Sequence, residues 1–305
     1  MWKVSKNEGV FMESYVMERH GDFGDYDGPS TQMTEKDDSY MDLRHCHGRQ
    51  GVCEDLWVSI FCIHFDINCL LLLPFFGYRF NPPPFEERFF HFSSETIAKL
   101  KARANQEISS NNTAISSFQA LAAFLWKSII QAKGLKPDQQ THCKLAANNR
   151  TRLNPPLPEE YFGNSLIILT STTTVGELFK HNLGWTASLV QQSVVDLTNK
   201  TVNDFADSWF KSPFVIRLDQ MIEKDEGNSV QVGSSPRFNI YGNEFAGLGK
   251  PIAVRSGYAN KYDGKITVYP GFEGRGSVDA EISLSSAYMR ALESNKEFMA
   301  VVSSP

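Results

Sequence analysis

From about residue 80 to the C-terminus, hydrophobic and polar positions follow patterns whose period changes along the chain. Glu86 to Phe92 reads EERFFHF and predicts a strand. Ser94 then opens a helix through Leu100 toward Ala104, its hydroxyl placed to cap the free amide groups. Phe118, Leu121, Ala122, Leu125 and Ile129 fall at i, i+3, i+4, i+7 and i+11, one apolar stripe on a helix begun by Ser116 or Ser117. Lys144 to Ala147 and Leu166 to Ser171 read as short strands, and Val175 to Leu197 carries one long helical pattern through Leu178, Leu183 and Leu189. Beyond Gly227 the pattern turns β-rich, with strands expected at Val230 to Gly233, Arg237 to Tyr241, Ile252 to Arg255, Lys265 to Tyr269 and Ser277 to Ser283. Asp263-Gly264 supplies a tight turn between two of these. Helices at Ser285 to Leu292 and Lys296 to Val302 close the series, so the fold class is mixed α/β.

The first part of the chain reads differently. Residues 1 to 55 are polar and irregular with no sustained period, and Pro82-Pro83-Pro84 marks the boundary, giving an unassigned segment 1–79 and a domain 80–305. Residues 56 to 77, LWVSIFCIHFDINCLLLLPFFG, are long enough to span a bilayer. Asp66 alone would cost about 2.5–3.5 kcal/mol at a helix centre, His64 and Asn68 add to that, and Pro74 breaks the far end. A buried soluble segment, or a stretch foreign to the fold, is therefore expected there in place of a membrane span.

A chain of 305 residues, 41% hydrophobic and 21% charged, can bury a sizeable core in one large domain or two ordinary ones. Its net charge of −5 offers no basic field for phosphate backbones, which argues against nucleic acid as a partner. Five cysteines, an odd number, and no N-terminal signal peptide point to reduced thiols and a cytoplasmic location. His45, Cys46, Cys53, Cys62, His64 and Cys69 include no close C-x-x-C pair, so no metal is expected. The chain also lacks a G-x-S-x-G elbow, a P-loop and an H-E-x-x-H pair.

Three segments, SSFQALAAFLWK (116–127), NNRTRLNPPLPEEYFGN (148–164) and SSPRFNIYGNEFAGLGKP (234–251), stand in an order and spacing that resembles the plant BAHD acyltransferases. The flanks PPFEERFFHFS and AVRSGYANKYDGKITVYPGFEGRGSVDAEISLS resemble them too, most of all in the branch holding the isochorismate-derived-metabolite enzymes of crucifers. The resemblance implies a chloramphenicol-acetyltransferase-like second domain, a mixed sheet flanked by helices, with the first domain truncated or replaced. It also implies acyl-CoA as co-substrate, a small-molecule alcohol or amine acceptor from specialised metabolism, and no permanently bound cofactor. By the same resemblance Ser116 and Ser117 match positions near the pantetheine path, Arg150 and Arg152 match arginines suited to phosphate or carboxylate, and Ser234, Ser235 and Arg237 match a channel-lining stretch. The hydroxyls of Ser116 and Ser117 double as helix caps, and the two arginines equally suit structural ion pairs.

Two departures qualify the resemblance. The family's general base is the His of an H-x-x-x-D motif, and no histidine here has Asp four residues on. Only His91, followed by Glu95, has any carboxylate at that spacing, and His20 has Asp25 five positions on. No catalytic residue is therefore expected in the chain. The family's D-F-G-W-G loop reads Glu244-Phe245-Ala246-Gly247-Leu248-Gly249, where Glu lengthens a carboxylate arm expected to be buried. Three functions stay open: an acyltransferase, a catalytically inactive fragment or ligand-binding module, and a member that cleaves an isochorismate conjugate.

Overall fold

The computed structural model describes residues 83–108, 114–214, 227–233, 235–244, 247–257 and 261–302, with the backbone of residues 15–16. Six strands build one sheet: β1 (Glu86–Phe92), β2 (Gln140–Asn148), β3 (Leu166–Thr174), β4 (Ser229–Gly233), β5 (Lys265–Pro270) and β6 (Val278–Leu284). They lie in the order β1-β6-β5-β4-β2-β3. The inner strands β2, β4 and β5 run parallel, and the other pairings are antiparallel. A two-residue bridge pairs Tyr15–Val16 with Arg255–Ser256. The segments outside these ranges include the apolar run 56–77 and the cysteines and histidines of residues 45–69, so those expectations lie outside the described residues. Among the described residues, no helix is long and apolar enough to cross a membrane.

Period-two alternation gives the sheet two unlike faces. Phe90, Phe92, Ala280, Ile282, Ile266, Val268, Val230, Val232, Cys143 and Leu145 share one face through the strand register and are all buried. Helices α1 (Ser94–Gln106), α2 (Ser117–Lys133), α3 (Val175–Lys180), α4 (Leu183–Val195), α5 (Asn199–Lys211), α6 (Ser286–Glu293) and α7 (Lys296–Val301) accompany this sheet, with α2 packed on β2 and β4. Phe298 of α7 meets Phe90 edge-on at 5.0 Å and stacks on Phe124 of α2 at 5.9 Å, so three aromatic side chains from three elements close one end of the core. Each such burial contributes about 1.5–3 kcal/mol. The opposite face carries Glu281, Ser283, Lys265, Thr267, Tyr269, Gln231 and Lys144, buried despite being mostly polar, together with half-buried His91 and Asp279 and exposed Glu87.

The expected elements hold in type at most positions, and the departures have local causes. The cap of α1 is Ser93, whose Oγ accepts from Thr96 N at 3.2 Å, and Ser94 is the first helical residue. Ser116 caps α2 in a reciprocal box with Gln119. The single helix expected over Val175 to Leu197 is two, because His181 is extended and Asn182 starts a new helix by accepting from Trp185 N at 2.9 Å. Lys127 Nζ donates to the carbonyls of Leu178 and His181 at 2.5 and 2.7 Å and so satisfies the end of α3. Residues 237–241 form turns held by Phe238 N to Ser235 O and Asn243 N to Ile240 O, and 252–254 is irregular, so neither expected strand forms there beyond the two-residue bridge. Helix α5, which the pattern reading passed over, buries Val202, Ala206 and Trp209 at i, i+4 and i+7 behind a Thr198–Thr201 capping box. The Asp263-Gly264 turn is present, with Gly264 at φ +93°.

Candidate functional site

Strands β2, β4 and β5 end together at Asn148, Gly233 and Pro270, and in open α/β sheets ligands collect beyond such ends. Three loops leave this edge: residues 149–165, the segment after Gly233, and the turn 271–277 that leads into β6. Helix α2 runs against these strands, since Lys133 at its C-terminus reaches Gly227 and Asp263, which precede β4 and β5. Its N-terminus at Ser116 therefore faces the edge where the loops gather.

The residues expected at the site are in different circumstances. Ser116 spends its hydroxyl on the α2 cap, and Ser117 is the half-buried first residue of that helix. Arg150 donates to the Gly163 carbonyl and to Asn148 Oδ1 and lies 5.8 Å from the Tyr161 ring, closing the 149–165 loop on itself. Arg152 turns away, donating from Nη1 to the carbonyls of Val194 and Leu197 at 3.1 and 2.9 Å, where the C-terminus of α4 concentrates negative potential. Ser235 Oγ accepts from Arg237 N at 3.2 Å, and Arg237 is exposed. Ser234 lies outside the described residues. The structure thus brings Arg150, Ser235 and Arg237 to loops of one edge, whereas Arg152 braces a helix. Glu244, expected as a buried carboxylate, is exposed, and Gly247 and Gly249 nearby adopt positive φ.

Beside these loops lies a polar cluster that spacing alone did not disclose. His91 Nδ1 is 2.6 Å from Asp279 Oδ1, its cross-strand partner on β6. Glu95 plays no part: it pairs with Lys99 in the first turns of α1. Deeper on the same face Lys261 bridges Glu87 and Glu281, and Glu281 Oε2 accepts from the Tyr269 hydroxyl at 2.7 Å and from Ser256 Oγ at 2.9 Å. Burial alone would raise the Glu281 pKa, but hydrogen bonds from Lys261 and Tyr269 outweigh it and hold the carboxyl below its usual range. Burial, more than the neighbouring carboxylate, pushes the Tyr269 phenol up. Cys143, fully buried beneath the helices, has its thiol pushed up to about 12 by desolvation. Among the described residues no group of His, Cys, Asp and Glu could hold a metal ion. Asp279 was legible only as a polar position in a strand, because its pairing with His91 spans 188 residues.

Comparison with known proteins places these observations. The sequence model of the family described as Transferase family matches residues 85–299. The chain is similar to an uncharacterised acetyltransferase of Arabidopsis thaliana, 40% identical over 71% of this chain and 48% of that one. It is also similar to the BAHD acyltransferase DCR of the same plant, 38% identical over 72% of this chain and 44% of that one. Among solved structures, Fusarium sporotrichioides TRI101, complexed with coenzyme A and T-2, superposes with a TM-score of 0.63 at 22% identity, covering 73% of this chain and 54% of that one, a likeness of fold. The chain spans about half the length of the curated relatives it matches.

Proposed function

The chain belongs to the Transferase family, that of the BAHD acyltransferases, and from that premise we propose that residues 80–305 form the coenzyme-A-binding domain of an acyltransferase, with no role assigned to residues 1–79. Its substrates are an acyl-CoA, carrying an acyl group other than an aminoacyl group, and an alcohol or amine of a small specialised metabolite. The observation that carries this reading is the family match over 85–299, which coincides with the described sheet and its loop-bearing edge.

In this reading Arg150 and Arg237 supply charge-assisted hydrogen bonds to the CoA phosphates, and Ser116 and Ser117 sit along the pantetheine path at the start of α2. Arg152 acts by positioning α4. By the resemblance, Ser234 and Ser235 belong to the channel-lining stretch, whose hydroxyls would donate to the oxyanion formed when the acceptor attacks the thioester carbonyl directly. The H-x-x-x-D motif is not among these 305 residues, so that motif supplies no base within them.

Arg237 tests the reading best, because it is exposed and the turn holds it through its backbone N–H, which donates to Ser235 Oγ. Titration of CoA against wild type and Arg237→Ala by ligand-detected NMR should show salt-sensitive binding that weakens about tenfold or more in the variant, as loss of one charge-assisted hydrogen bond dictates. Absence of CoA binding by the wild type would overturn the reading.

A further inference from the structure

The two lateral edges of the sheet are built differently. β1, at one end of the strand order, opens with Glu86, Glu87 and Arg88, follows Pro83 and Pro84, and has Arg88 paired with Glu86 and Glu293. Charges and prolines of this kind keep an edge strand from recruiting another chain. β3, at the other end, reads LIILTSTTT, nine residues with no charge, no proline and no glycine. It pairs with β2 residue for residue from Leu166 to Thr174, so no bulge twists it away.

The outward side of β3 is open. Asn149 N donates to Ser165 O and Val175 N to Gln139 O, so the odd-numbered residues turn their peptide groups toward β2. Period two then sends the peptide groups of Leu166, Ile168, Thr170 and Thr172 outward, and among the described residues no strand lies beyond them. Leu166 is 44% exposed, and Thr170 and Thr172 are exposed as well. The helix on this strand is just as neutral. Ser171 Oγ donates to Leu189 O at 3.2 Å and pins α4 to β3, and the α4 sequence LGWTASLVQQSVV holds no charged residue either. In a chain that is 21% charged, a strand and its covering helix without one charge between them have the composition of an interface core, which is depleted in charge.

We infer that β3 is an interface strand, pairing antiparallel with β3 of a second copy of this chain about a two-fold axis at Thr170, so that two sheets become one. Self-pairing fits because no register can set like charges opposite each other. The centred register also lays the aliphatic half of each strand against the threonine half of the other. Ile168 then faces Thr172 of the second copy, Leu166 faces Thr174 of the second copy, and Thr170 meets its own counterpart, pairings of the kind that stabilise sheets. All nine residues are used, through roughly eight backbone hydrogen bonds. Such a contact closes after two copies, whereas β1 of a second copy would bring Glu86, Glu87 and Arg88 against the neutral strand and leave an open edge at each end of the pair. The joint lies at the side of the sheet, away from the strand ends where the loops gather, so it is independent of the acyl-transfer reading.

Association and cross-linking of the 305-residue chain decide it. Sedimentation from about 1 to 100 µM should show a monomer–dimer equilibrium, and Thr170→Lys, which sets two ammonium groups face to face, should weaken it about tenfold or more. Thr170 is exposed, so the thermal midpoint of the dilute variant should match that of wild type. Wild type that stays monomeric across the range overturns the inference. So does association that Thr170→Lys leaves unchanged, which would assign the contact to another surface. Thr170→Cys should gain a covalent dimer on mild oxidation beyond whatever the chain's own cysteines form, since directly opposed residues of a hydrogen-bonded pair stand about 5.5 Å apart between Cα atoms, within disulfide reach. Thr172→Cys, offset along the strand from its own counterpart, should gain none. No gain in Thr170→Cys, or equal gains in both variants, overturns the pairing.

Discussion

Lys133 Nζ lies 2.5 Å from Asp263 Oδ2 with its side chain 1% exposed, which ties the end of α2 to the turn that starts β5. The same ammonium also donates to the Gly227 carbonyl, and the other oxygen of Asp263 accepts from Ser285 N at 2.7 Å at the start of α6. Asp263→Ala would leave a buried ammonium without its counter-charge and a helix start without its acceptor. It should lower unfolding stability by about 3 kcal/mol or more, read as a fall in the urea midpoint at unchanged slope.

Two glycines with positive φ should respond unequally to alanine. At Gly264 a Cβ would stand 2.5 Å from the Ser229 carbonyl oxygen, a backbone atom, whereas at Gly134, φ +61°, nothing lies within 4 Å. Gly134→Ala should cost about 1 kcal/mol, the strain of the left-handed conformation alone. Gly264→Ala should cost clearly more, because strand pairing must shift as well. Thermal denaturation of both variants checks the order.

The depressed pKa of Glu281 sets a direction for acid sensitivity. A carboxyl that titrates lower in the folded chain than its unfolded value near about 4.3 contributes stability that is fully present above that value and is lost as pH falls through the folded one. Urea midpoints measured from pH 7 down to about pH 3 should therefore drop less steeply in Glu281→Gln than in wild type, although the variant starts lower because Lys261 loses one of its two carboxylates.

Arg152 and Arg237 should separate cleanly. Arg152→Ala removes two donations to the C-terminal end of α4 and should cost about 1–2 kcal/mol of stability. Arg237→Ala, on an exposed side chain, should stay within about 0.5 kcal/mol of wild type while weakening CoA binding. Chemical denaturation and CoA titration of both variants give the comparison.

Much of the layout was readable from short-range pattern: EERFFHF buries Phe90 and Phe92 on one face, and the stripe of Leu121, Ala122, Leu125 and Ile129 marks α2, although that helix is buried on nearly every side. The break at His181 was not readable that way, since apolar residues continue on both sides and only Asn182, a capping residue, signals the restart. Helix α5 was readable in Val202, Ala206 and Trp209, but its stripe is narrow and its remaining positions are polar. Residues 237–241 alternate like a strand yet turn, because their hydrogen bonds are made within the segment. At the site, the loop-borne Arg150, Ser235 and Arg237 could be named from resemblance, while what Arg152 holds and what His91 faces depend on contacts 42 and 188 residues away.

The position of β6 bears on how the chain assembles while it is being made. The strand emerges late yet is inserted between β1 and β5, pairing Glu86 with Leu284 on one side and Lys265 with Ser283 on the other. At about 5–20 residues per second of synthesis, β1 waits roughly 10–40 s for a neighbour. Through that wait β1 presents an open hydrogen-bonding edge, joined only briefly at the end by that of β5, the kind of edge that recruits foreign strands. Nascent-chain survival should therefore depend on chaperone cover up to the moment Val278–Leu284 leaves the ribosome, and ribosome-arrested chains stopped before that strand should be far more prone to protease and aggregation than chains stopped just after it.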